Sequence, residues 1–191
     1  MDNSDHHPVA PNRRIVLASI GTFVTLAPTL AAAESAAELD QKASAALAQL
    51  YSESERARGL GARAKGILIF PKIVKAGFMV GGQTGNGSLR INGKPVGYYN
   101  ISAGSFGLQA GAQAYAFVLF FESEKGLDYL RKSDGWAVGS GPSVVVVDKG
   151  MAKTANTTTL TQDVYAMAFG QKGLMGGLGL EGSKITPIKL S

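Results

Sequence analysis

Between Arg56 and Phe121 the chain places eight cations, Arg56, Arg58, Arg63, Lys65, Lys72, Lys75, Arg90 and Lys94, and not one aspartate or glutamate. Six of the eight, Arg56 to Lys75, fall within twenty residues. Side chains of this type at this density hold anions: guanidinium groups grip pairs of phosphate or carboxylate oxygens, and ammonium groups act as point charges. Near an anionic membrane each such charge contributes on the order of 1 kcal/mol, falling as salt rises. The plain alternative is a solvated face that happens to be basic. Nucleic acid is the weaker partner, because aromatic residues do not interleave the cations.

What the chain lacks is as informative. Cysteine is absent, which removes disulfides, iron–sulfur clusters, thiolate zinc sites and cysteine nucleophiles together. The two histidines, His6 and His7, sit in a segment with the layout of an export signal. Polar residues 1–12 precede Arg13-Arg14, then the apolar run Ile15 to Ala27, Pro28, and the small residues Ala31-Ala32-Ala33. That pattern predicts cleavage after Ala33. The pair in Asn12-Arg13-Arg14-Ile15-Val16-Leu17 resembles a twin-arginine signal, with Val16 and Asn12 departing from the usual residues. An uncleaved anchor would need the run Ile15 to Ala33 as a helix of roughly 28 Å, barely a span. Removing 33 of 191 residues leaves 158, with no histidine and no cysteine. Two arginines and two aspartates leave together, so the net charge stays at +5. Imidazole-based triads and imidazole metal sites are then impossible, and carboxylates, lysines and tyrosines are the remaining acid–base groups. A non-enzymatic, cofactor-free and metal-free protein, periplasmic or envelope-associated, is expected.

The elements that must position the cations can be read from composition and period. Hydrophobic residues make up 45% and charged residues 17%, and glycine contributes 25 of 191, well above the usual ~7% and without a collagen-like repeat. One β-rich domain over residues 34–191 is expected. Leu39, Ala43, Ala46, Leu47, Leu50 and Tyr51 recur at helical spacing, predicting an amphipathic helix over Ser35 to Tyr51. Ser52-Glu53-Ser54-Glu55 can form a capping box through Ser52 and Glu55, starting a second helix that ends near Gly59 to Gly66 and exposes Arg56, Arg58 and Arg63.

After Gly66 the period is that of strands. Gly66 to Phe70 stops at Pro71, Ile73 to Val80 comes next, and Gly81 to Gly87 reads as a glycine-rich reversal before Ser88 to Ile91. Asn92-Gly93 is a hairpin dipeptide. Tyr98 to Phe121 reads as two strands, and the second, Ala114 to Phe121, is apolar enough for burial on both faces. Glu124 to Lys132 reads as a short helix. Ser143 to Val147, Thr157 to Phe169 and Leu174 to Ile188 read as closing strands. Helices first and antiparallel-type strands afterwards make the class α+β: N-terminal helices packed on a curved, largely antiparallel sheet or partial barrel that hides its edges.

Three look-alikes do not carry chemistry. Ala103-Gly104-Ser105-Phe106-Gly107 resembles a nucleophile elbow, which needs a strand-to-helix turn and a histidine base. Gly177-Leu178-Gly179-Leu180-Glu181-Gly182 fits a dinucleotide fingerprint, but that requires a following helix in a βαβ unit of about thirty residues, and nine residues remain after Gly182. Gly81 to Gly87 lacks the Gly-Lys-Ser/Thr ending of a nucleotide phosphate loop and stays open as a generic anion nest.

The run Ala64-Lys65-Gly66-Ile67-Leu68-Ile69-Phe70-Pro71-Lys72-Ile73-Val74-Lys75-Ala76-Gly77-Phe78-Met79-Val80-Gly81-Gly82 resembles the signature of the SYLF lipid-binding domain family. Further matches occur in order: Ala103 to Gln113, Gly141-Pro142, Asp163-Val164-Tyr165-Ala166, Lys172-Gly173-Leu174 and Gly179 to Gly182. The resemblance implies a compact β-fold packed on helices. It also implies anionic phospholipid or a membrane surface as partner: eukaryotic members bind phosphoinositide membranes and some bind actin, whereas bacterial members are exported envelope proteins. For a bacterial exported member, phospholipid is the transferable part. Lys65, Lys72 and Lys75 lie in the signature, and Arg56, Arg58 and Arg63 on the helix feeding it, so these six are the expected headgroup contacts. Regular alternation would put Lys72 and Lys75 on opposite faces. Phe78, Met79, Tyr98 and Tyr99 could add apolar contact, although core is their commoner use. A structural or assembly protein binding an acidic protein or polymer is the competing reading.

Overall fold

Ser35 starts the first helix, α1 (Ala36–Glu53), with a complete capping box: its hydroxyl accepts from the Glu38 amide, and the Glu38 carboxylate accepts from the Ser35 amide. The structure, a computed structural model, describes residues 34–147, 162–173 and 182–191, without the side chains of 78, 79 and 105–110; the expected export segment and Gly177 to Glu181 lie outside the described residues. Helix α1 buries Leu39, Ala43 and Leu50. It runs past Ser52, whose hydroxyl donates back to the Gln49 carbonyl at 2.7 Å. Ser52 is therefore helical and cannot cap the second helix. Ser54, extended at φ −141° and ψ 108°, accepts from the Ala57 amide and caps α2 (Glu55–Arg63) instead. The expected box at Ser52 and Glu55 is corrected accordingly.

Two very long strands come next, β1 (Gly66–Ile91) and β2 (Lys94–Phe121), of 26 and 28 residues. They join at Asn92-Gly93, with φ of 52° and 75°, the left-handed pair that a two-residue hairpin turn demands. Pairing runs antiparallel from Ile91↔Lys94 to Gly66↔Phe121. The expected reversal at Gly81 to Gly87 is not there, because none of its glycines takes the positive φ of a turn and each pairs with β2. Amides engaged in that ladder are not aimed at an anion, so the nest is not formed either. Tyr98 to Phe121 is likewise one strand and not two.

Glycine has a different use here. A straight ribbon of this length would reach roughly 85 Å; the hairpin instead folds across itself. A Cβ on Gly77 would collide with the Cα of Gly81, and one on Gly85 would sit 2.5 Å from the Lys72 carbonyl oxygen. The register shifts by two residues at the same place, between Gly77↔Gly111 and Met79↔Gly107. The first layer holds β1 and β2 on the Gly66 side of this bend, extended by β5 (Val164–Gly173) and by β4 (Val144–Val147), which is parallel to β5. The second holds the Asn92 side, extended by β6 (Lys184–Ile188) and the two-residue β3 (Trp136–Ala137).

Alternation along β2 then divides two cores. Tyr115, Phe117, Leu119 and Phe121 point between the layers and meet Leu68, Phe70, Ile73, Leu89, Ile101 and Ile185. Ala116, Val118 and Phe120 point outward under Ala43, Leu50, Ala57 and Leu60 of the two helices. That two-sided burial is what the unbroken apolar run implies. Helix α3 (Glu124–Lys132) adds Leu127 and Leu130 to the inner core, beside Trp136, whose indole donates to the Ser140 carbonyl. The result is α+β: three helices on a curled, mixed and mostly antiparallel sheet.

Asp163 ties three elements together. Its carboxylate accepts from the Ser123 hydroxyl at the α3 N-cap (2.7 Å) and from the amide and hydroxyl of Ser143 ahead of β4 (3.1 and 3.2 Å). The Ser123 and Ser143 hydrogen bonds hold its carboxyl below the usual carboxylate range. A depressed folded pKa means the contribution is present above about pH 4 and is lost as pH falls through the folded value. Asp163→Ala is expected to cost about 2 kcal/mol at neutral pH, since bonds to a charged acceptor are removed. Urea unfolding between pH 2 and pH 7 checks this: the difference between parent and Asp163→Asn should shrink below pH 4.

Candidate anion-binding surface

Burying Ala57 and Leu60 against the outer core turns the opposite side of α2 to solvent. Arg58 and Arg63 are exposed there, and Arg56 is half-buried. The Arg63 Nε donates to Glu122 Oε2 at 3.0 Å, an ion pair of which the arginine side is 57% exposed. Pairs of that kind are worth about 0–1 kcal/mol. Lys65 is exposed, and its amide donates to the Phe121 carbonyl at 2.7 Å, docking the end of α2 onto the start of β1.

Lys72 and Lys75 are elsewhere. One extra residue in β1 between Phe70↔Phe117 and Ile73↔Tyr115 makes a bulge at Pro71-Lys72, and Lys72 is exposed on it. Ile73 faces the inner core, so alternation from it puts half-buried Lys75 on the inner side and Val74 on the outer. Lys75 pairs across the strands with buried Gln113. Ten residues of strand separate Lys65 from Lys75, roughly 30 Å. Six cations adjacent in sequence thus form two groups, Arg56, Arg58, Arg63 and Lys65 at the α2 end, and Lys72 and Lys75 at the bend.

Strand pairing adds a cation that spacing along the chain does not reveal. Val74 pairs with Ala114, and Ala114 with Lys172 of β5, so Lys172 shares a cross-strand row with Val74. Its only signal in the sequence is its place in a family-like segment 97 residues beyond Lys75. Arg90, by contrast, is a structural tie: its Nη2 donates to the Asp40 carbonyl (2.7 Å) and the Ser44 hydroxyl (2.8 Å). The Asp40 carboxylate also accepts from Ser88 and Tyr98, fastening α1 to the second layer. Tyr99 is core, and the side chains of Phe78 and Met79 lie outside the described residues.

Behind the bend the inner face is polar. The Tyr115 hydroxyl donates to Gln83 Oε1 at 2.9 Å, and the Gln83 amide to the Ser183 hydroxyl at 3.0 Å. All three residues are buried. Burial pushes the Tyr115 phenol up to about 12. With an unfolded value near 10, its contribution is complete below pH 10 and is lost as pH rises through 12. Absorbance titration at 295 nm is expected to show a late phenol step near pH 12, and Tyr115→Phe to remove that step. Ser105 lies in β2 opposite Gly81, within a strand and not at a strand-to-helix elbow.

Residues 102–189 match the family model Ysc84, described as Las17-binding protein actin regulator. Over that stretch, from the middle of β2 to β6, the chain is similar to the SYLF (Ysc84) domain family. No curated protein matches the chain. The fold gives the family-like segments a physical meaning: Ala64 to Gly82 and Ala103 to Gln113 are partners in the bent hairpin, and Asp163 to Ala166 starts the strand beside it.

Proposed function

We propose that the protein is a non-enzymatic module that binds anionic phospholipid at a membrane surface of the bacterial cell envelope, after export and cleavage behind Ala33. One observation carries the reading: the described residues of β1, β2, β4 and β5 hold no carboxylate, while Lys72, Lys75 and Lys172 sit at one end of those strands and Arg58, Arg63 and Lys65 at the other. A surface so built attracts phosphate headgroups, and of its arginines Arg63 shares its charge with Glu122. Similarity to the SYLF family supports lipid as the anion. Actin regulation, named in the description of the matching family, suits a cytoplasmic member and not an exported one. The cations that draw headgroups to this surface are Arg56, Arg58, Arg63, Lys65, Lys72 and Lys75.

Vesicle co-sedimentation tests it. Capture by phosphatidylglycerol vesicles at low salt, weakened about tenfold or more between 50 and 300 mM salt and absent with phosphatidylcholine, is the expected result. Indifference to vesicle charge would defeat the reading and favour an acidic protein or polymer as partner. Turnover of ester substrates would revive an enzyme.

A further inference from the structure

The row Val74–Ala114–Lys172 spans two strand spacings, roughly 10 Å. Its side chains point to the face that, one row deeper, is covered by α1 and α2 over Ala116, Val118 and Phe120. At Val74 the helical cover has ended: the valine is 41% exposed, and the next row, Ala76 and Ala112, is exposed on both strands. An apolar side chain on a flat row of small residues has lysines on either side, Lys72 before it on β1 and Lys172 across the sheet, both exposed. Lysine stems of this length can lie along apolar surface while the ammonium reaches a phosphate. The α2 cations lack such an apolar companion, since the apolar side of α2 is already spent on the core.

We infer that this bent end of the first layer is the part that enters the bilayer interface, with Val74 passing between the headgroups and Lys72 and Lys172 holding phosphates on either side. The inference rests on the anionic-lipid reading above and specifies its geometry: the first layer meets the membrane end-on at the bend, and the α2 cations act at longer range. An anionic bilayer fits better than an acidic protein because the row offers charge and an unpartnered apolar side chain within one lysine's reach.

The absence of cysteine from the sequence makes the test clean. Val74→Cys, carrying a polarity-sensitive fluorophore, is compared with Val96→Cys, an exposed position near the hairpin tip, in protein purified as the cell processes it. Phosphatidylglycerol vesicles are expected to blue-shift the label at Val74 and leave that at Val96 unchanged. Lys172→Glu, without a label, is expected to bind about thirtyfold more weakly, roughly five- to sixfold for each of two charge units, with unchanged circular dichroism. Capture of the parent with an unshifted Val74 label, or with Lys172→Glu binding as the parent does, overturns the inference and leaves the anionic-lipid reading standing. Failure of anionic vesicles to capture the parent overturns both.

Discussion

Gly85→Val is expected to be strongly destabilising although the position carries no functional group. A Cβ there would lie 2.5 Å from the Lys72 carbonyl oxygen and 3.0 Å from the Ile73 side chain. Neither is the free end of a flexible chain: one is backbone at the Pro71-Lys72 bulge and the other is fully buried. The clash is relieved only by separating the two layers, which loosens the inner core where Phe70, Ile73 and Leu89 meet. Overpacking of this kind costs about 3 kcal/mol or more, equivalent to a drop of about 10 °C in Tm for a domain of this size. Thermal unfolding followed by circular dichroism measures it. Gly93→Ala, at the exposed hairpin turn where a Cβ meets nothing within 4 Å, should cost less, through its φ of 75° alone.

The double reversal Lys65→Glu and Lys72→Glu is expected to abolish vesicle capture without unfolding the protein. Both side chains are exposed, and four units of charge at about 1 kcal/mol each amount to roughly a thousandfold in affinity. The separation of the two residues makes the single variants informative. If the bend lies against the membrane, Lys72→Glu accounts for most of the loss, and Lys65→Glu acts mainly on the salt dependence of association, through long-range attraction. Equal losses from the two would place a broad basic face on the bilayer. Retained capture by the double variant would exclude both lysines as headgroup contacts. Titration of vesicles at two salt concentrations separates these results.

Local signals are readable wherever a few neighbouring residues settle the conformation. Helical spacing from Leu39 to Tyr51, the Asn92-Gly93 turn, the helix from Glu124 to Lys132 and the two-sided burial of the run ending at Phe121 depend on local pattern and apolar composition, and the folded chain has all of them. Expectation and structure part where a local rule has two answers. Ser52 and Ser54 both suit a helix cap, and the length of α1 decides between them. Glycine at 85 and 87 suits a turn or a close approach, and only the crossing of β1 over itself selects the second. Lys172 gives no local hint of joining Val74, because cross-strand neighbours are set by register across 97 residues of intervening chain.

The amino-acid sequence by itself determined the class of fold and part of the chemistry that is out of reach: a segment without carboxylates remains basic however it folds, and a chain without cysteine has no thiol to use. Tertiary structure alone decided where the charges lie. Consecutive cations along an extended strand move apart by about 3.3 Å per residue, so nearness in sequence became distance in space, and pairing with a distant strand brought in a lysine from elsewhere.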